Sequence, residues 1–231
     1  MGHDEARAVR FVRLSGGAVL LLGVILFAVM PKTAVRENVG GLQGAVIGFE
    51  LASTPAHVLG ILGHPGDVQR PETVQAMDRA NRIDFLFMIA YPALSLAIAL
   101  WLVARRVAPR SLPMVVGVFA VVMWAGDLIE NLQLLQLSQT TDPGAMARPL
   151  AILWVATRAK WKALFLTGLL EGPFVWRDAS GWRWCALVFV IAGLLGMAGV
   201  IAWLPGVEHG ANLLGLGWAW TWIHALRSRV R

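Results

Sequence analysis

The residues in this sequence best suited to chemistry sit inside long apolar runs. One run reads Asp127-Leu-Ile-Glu130-Asn131, and steps of three and four residues put its two carboxyls and its amide on a single helical face. The next run reads Thr157-Arg158-Ala-Lys160-Trp161-Lys162, with Arg158 and Lys162 on one face and Lys160 on another. An earlier run adds Asp84, Tyr91 and Ser95 on one stripe, which Asn81 extends toward the surface. Carboxyls beside amines in a low dielectric can serve as general acid and base, or hold a charged group. An ionisable side chain at bilayer depth costs about 2.5–3.5 kcal/mol, so each one needs a partner or a task.

The elements that must position these groups follow from composition. Of 231 residues, 57% are hydrophobic and only 15% charged, against roughly 45–50% and 25% in soluble domains. One soluble core cannot bury that much apolar surface, and disordered, collagen-like and coiled-coil chains are excluded on the same ground. Cys185 is the single cysteine, so no disulfide scaffold exists. A helix needs about 20 apolar residues to cross a bilayer. Runs at 14–30, 83–104, 112–138, 149–170 and 184–203 approach or meet that length, and a shorter, Trp-rich run follows at 211–226. The expected fold is all-α, a bundle of six transmembrane helices. Pro31, Pro109, Pro113, Pro149, Pro173 and Pro205 are expected to mark helix boundaries.

The net charge of +6 could suggest a nucleic-acid partner, but its placement argues for topology instead. With the N-terminus in the cytoplasm, Arg7, Arg10, Arg13, Arg105, Arg106, Arg110, Arg177, Arg183, Arg227, Arg229 and Arg231 all fall on the cytoplasmic side. Lys32, Arg36, Arg70, Arg79, Arg82 and Arg148 fall outside among more numerous acids, as the positive-inside rule expects. The expected location is a bacterial-type inner membrane, with both termini cytoplasmic, lipids as neighbours and no nucleic acid bound. The first apolar run exceeds the usual 7–15 residues of a signal peptide, so it reads as an uncleaved span.

Residues 41–63 are apolar enough to imitate a span, but Ser53-Thr54-Pro55 interrupts them with an N-cap and a first-turn proline. They are expected to form two short helices capping the outer leaflet. The organisation is then a four-span core over 1–170, including that cap, and a two-span extension over 171–231. At about 1.5 Å per residue, Asp127 and Glu130 lie roughly 12–16 Å from the outer end of their helix. Arg158 and Lys160 lie roughly 14–16 Å down the next one, so acids and bases are expected to meet at one level.

These residues and the cap together resemble a family of small bacterial integral membrane proteins with no assigned activity. Phe49-Glu50-Leu51-Ala52-Ser53-Thr54 is similar to its FELAGT-like signature, with Ser53 where glycine is usual. Asp84-Phe85-Leu86-Phe87 with Tyr91, then Asp127-x-x-Glu130-Asn131, and Lys160 ahead of an aromatic residue, resemble its remaining motifs. The resemblance covers about the first 170 residues and implies grouping of Glu50, Asp84, Tyr91, Asp127, Glu130, Asn131 and Lys160. It names no reaction.

Other signals are weaker. His57 and His64 lack metal-ligand spacing, and no metal or cofactor pattern is present. Gly193, Gly196 and Gly199 form a small-residue face suited to helix packing or to a homo-oligomer. Trp176, Trp182, Trp184, Trp203, Trp218, Trp220 and Trp222 suggest an interfacial aromatic belt. The expected function is binding or processing of a small amphiphile at a polar site open to the outer side. Asp127 or Glu130 would act as acid or base, Lys160 and Arg158 would hold an anionic group, and Asn131 and Tyr91 would orient it, with Glu50 and Asp84 alongside. The alternatives are a non-enzymatic scaffold whose charges lock helices together, and a proton-coupled carrier, for which no inverted repeat is visible.

Overall fold

The computed structural model describes residues 2–31, 39–178 and 182–228; Lys32, Arg36, Arg229 and Arg231 lie outside them. The described residues are helical, without a strand: α1 (His3–Val29), α2 (Ala45–Glu50), α3 (Pro55–Leu62), α4 (Arg70–Ala104), α5 (Leu112–Ser138), α6 (Pro143–Arg177), α7 (Cys185–Ile201) and α8 (Pro205–Arg227). The cap is two short helices, as its punctuation predicts. Thr54 Oγ1 accepts from the His57 amide at 3.2 Å with Pro55 in the first turn. Gly63 ends α3 at φ +96°, a conformation that costs glycine little.

Among the described residues, four helices are long and apolar enough to cross a membrane: α1, α4, α5 and the stretch Trp184–Ile201 that contains α7. The sixth and eighth helices are also long, 35 and 23 residues, but carry more charged and polar side chains. The exterior of the bundle is apolar. On α5, Met114, Val118, Val121 and Leu132 are exposed, while Asp127, Glu130 and Asn131 on the opposite face are buried. Soluble proteins show the reverse arrangement, so an apolar outside around a polar inside fits a multi-pass membrane protein.

Two boundaries differ from expectation. Pro149 and Pro173 lie inside α6, which runs through both. Proline is tolerated within membrane helices because neighbouring groups can satisfy the carbonyls it frees. As a result, α6 also runs through the expected division at residue 170.

Helices pack in chain order, α1 on α4, then α5, α6, α7 and α8, and α8 returns to α1 to close a ring. That closure is made at one end. A Cβ on Gly16 would lie 2.6 Å from the Trp222 ring, so only glycine admits it. Trp222 Nε1 donates to the Arg13 carbonyl at 2.9 Å, and Arg13 Nε donates to the Ala225 carbonyl at 2.9 Å, satisfying an open carbonyl at the end of α8. At the same end, Arg105 pairs with Glu5 at 3.3 Å and with Asp178 at 2.7 Å, tying the starts and ends of α1, α4 and α6 together. At the other end, residues 40–44 sit on the start of α8, where the Gln43 amide donates to Glu208 at 2.9 Å.

The glycine face of α7 is filled within the chain. Gly193 faces Leu169, Gly196 lies under the Phe165 ring, and a Cβ on Gly199 would fall 2.2 Å from the Val207 amide nitrogen of α8. Of the seven tryptophans expected in a belt, six divide into two groups, and the seventh, Trp222, is half-buried against Gly16. Trp176, Trp184, Trp203 and Trp220 are exposed, but Trp182 and Trp218 are buried. Trp182 stacks between Trp101 and His224, at 4.9 and 5.1 Å between ring centroids, so it belongs to the core rather than to a belt.

Candidate functional site

Lys160 stands at the centre of the buried polar cluster. The helical spacing of α5 turns Asp127, Glu130 and Asn131 inward, and Gly126 lets α6 approach closely, since a Cβ there would lie 3.0 Å from the Ala156 carbonyl. Lys160 Nζ donates to Asp127 Oδ1 at 3.2 Å, to Glu50 Oε2 at 3.1 Å and to Glu130 Oε1. One ammonium thus joins α5, α6 and the cap, using all three of its protons.

Around it lies a second tier of contacts. The Tyr91 hydroxyl of α4 donates to Asp127 Oδ2 at 2.8 Å, and Asn131 Nδ2 donates to Asp84 Oδ2 at 2.7 Å. Trp161 Nε1 donates to Glu50 Oε2 at 3.1 Å. Seven of the eight residues singled out in the sequence therefore meet: Glu50, Asp84, Tyr91, Asp127, Glu130, Asn131 and Lys160. Ser95 is buried one turn below Tyr91, its hydroxyl bonded back to the Tyr91 carbonyl, and Asn81 is buried one turn above Asp84.

Arg158 is the exception. It turns away from the acids and lies over Trp154, 4.3 Å from that ring centroid, because a two-residue offset from Lys160 points it to another helical face. Equal depth does not bring a side chain into a cluster when its angular position differs. Without Arg158, Lys160 is the one cationic side chain lining the cavity among the described residues, and three carboxyls occupy it. Of the two expected holders of an anionic group, Arg158 is outside the cluster and Lys160 is engaged by carboxyls.

A cavity of about 540 Å³ opens onto this cluster. Its polar floor comes from Glu50, Asp84, Asp127 and Lys160, and its walls come largely from α1 and α8. The sequence reading expects a polar site open to the outer side; the observed cavity extends sideways to the α1–α8 seam. Val24, Phe27 and Leu216 line its mouth and are 68%, 80% and 64% exposed. The two helices touch at Gly16 and Trp222, yet a Cβ on Gly23 or Gly215, higher in the same seam, would meet nothing within 4 Å. The seam is thus closed at one end and open along its other half.

Two participants escaped the sequence reading. Trp218 stacks on Tyr91, 6.1 Å between centroids, and lines the cavity from a helix assigned to a separate extension. Glu171 is buried with Oε1 unpartnered among the described residues. It continues the stripe Thr157, Lys160, Thr167 down α6, a helical period that was legible had the helix been carried past residue 170.

An apolar-skinned bundle of helices around an ionisable cluster defines the class of multi-pass membrane proteins. Comparison with family models, curated proteins and solved structures returned no match to this chain.

Proposed function

We propose that this protein binds a small amphiphile within the membrane, taking its polar head at the Lys160 cluster and its tail in the α1–α8 seam. The observation that carries this reading is the cavity itself, whose ionisable groups all lie at its inner end and whose α1 and α8 walls are apolar except for Asn212. Its volume falls within the roughly 300–1,000 Å³ typical of small-molecule sites. In this reading all six long helices span a bacterial-type inner membrane. The arginine-rich end, where Arg105 joins Glu5 and Asp178, faces the cytoplasm. The open half of the seam then faces the outer leaflet, and α2 and α3 cap it from above.

If the ligand is also processed, Asp127 is the group that exchanges a proton with it, because Asp127 lines the cavity and Glu130 does not. Tyr91 orients Asp127, Asn131 fixes Asp84, and Glu130 acts through Lys160. A second reading, a scaffold whose ion pairs lock the bundle, is favoured by the three acids that Lys160 joins. It gives no role to the seam.

Gly215→Phe separates the two. Gly215 lines the cavity and a Cβ there meets nothing within 4 Å, so the side chain is directed at the open half of the seam, and replacing glycine in a helix costs nothing in propensity. The probe is lauroyl lysophosphatidylethanolamine, whose head carries both charges, detected by native mass spectrometry. Wild-type protein is expected to retain one molecule, and Gly215→Phe none, at an unchanged melting temperature. Equal retention by both would overturn the binding reading.

A further inference from the structure

Building on that binding reading, we infer that the head this cavity selects is a cation, of the ammonium class. Glu50, Asp84, Asp127 and Glu130 surround the single ammonium of Lys160, a formal balance of 1 − 4 = −3 when all are ionised. Charge of one sign is too costly to leave uncompensated in a low dielectric, so protons or a positively charged ligand must balance it.

The hydrogen-bond inventory points the same way. Lys160 spends its three donors on carboxylates, Tyr91 spends its hydroxyl on Asp127, and Asn131 reaches Asp84. Acceptors remain. On the cavity wall neither Asp84 Oδ1 nor Glu50 Oε1 accepts a hydrogen bond within the described residues, and behind that wall Glu130 Oε2 is buried with no partner. Asn212, exposed on the α8 wall, brings an uncommitted donor side chain to the cavity, but at the floor an anionic head would face carboxylates. A cation supplies both the charge and, where it bears N–H groups, the donors. The walls add Phe87, Tyr91, Trp161 and Trp218, aromatic rings whose faces attract ammonium groups. Arg158, the residue that would have reversed this balance, lies over Trp154 outside the cluster.

Three probes with the same twelve-carbon chain separate charge from grease: dodecyltrimethylammonium, dodecanol and laurate. Binding to the full chain in a neutral glycoside detergent is measured by native mass spectrometry, with Gly215→Phe subtracting partition into the micelle. The cation is expected to bind at least tenfold more tightly than either other probe. Its fixed charge cannot donate a proton, so protons released on binding, read by calorimetry in two buffers of different ionisation heat, come from the cluster. Asp84→Asn is expected to weaken the cation at least fivefold and leave dodecanol unchanged. If laurate binds best, or all three bind alike and Gly215→Phe removes them, the cavity holds amphiphiles but the cation assignment is overturned. If no probe distinguishes wild type from Gly215→Phe, the binding reading itself fails, and this inference with it.

Discussion

Trp218 lies against Tyr91 with their rings 25° from parallel, so the last helix of the chain supports the hydroxyl that donates to Asp127. Removing that hydroxyl while keeping the ring isolates the bond. Tyr91→Phe leaves a buried carboxylate oxygen without its donor, which costs about 1–3 kcal/mol. A lower melting temperature in detergent, with the helical circular-dichroism spectrum intact, is the expected result. No shift would mean that the bond carries no stability.

Lys160 is held by three carboxyls, and its loss leaves Asp127 and Glu130 buried and Glu50 half-buried without their cation. Breaking a buried pair from one side costs about 3–5 kcal/mol. Lys160→Met should destabilise the protein by about that much, and Lys160→Met with Glu130→Gln should recover a substantial part of the loss. A double-mutant cycle on reversible unfolding in mixed micelles measures the coupling. Additive losses would show that the two side chains do not stabilise each other.

Gly199 meets α8 backbone, not a side chain that could swing aside, with a Cβ there only 2.2 Å from the Val207 amide nitrogen. Gly199→Ala must therefore push α7 and α8 apart, at a cost of about 1–3 kcal/mol or more. Gly215→Ala on the same helical hairpin meets nothing and should be neutral or slightly stabilising. Thermal melts of the two variants side by side check the contrast.

Orientation is checked by labelling. Cys185 is fully buried, so a single introduced cysteine reports cleanly. Thr141→Cys, between α5 and α6, should react with a membrane-impermeant maleimide on intact cells. Ser111→Cys, between α4 and α5, should react only after permeabilisation. The opposite pattern would invert the proposed topology.

What the sequence determined by itself is the content of each helix. Apolar length, prolines and caps located α5 at 112–138 and split the cap at Ser53-Thr54-Pro55. Three-and-four spacing put Asp127, Glu130 and Asn131 on one inward face. These are local properties, fixed by helical period and chain chemistry, and one segment suffices to read them. Tertiary structure decided which of two basic residues at nearly equal depth joined the acids. Lys160 did and Arg158 did not, because the rotation of α6 about its axis is set by packing at Gly126 and not by depth. It also brought α8 back to α1, placing Trp218 on Tyr91 and leaving the seam open above Gly16. Contacts between residues about 200 positions apart depend on how six helices share one ring, and no local spacing encodes that.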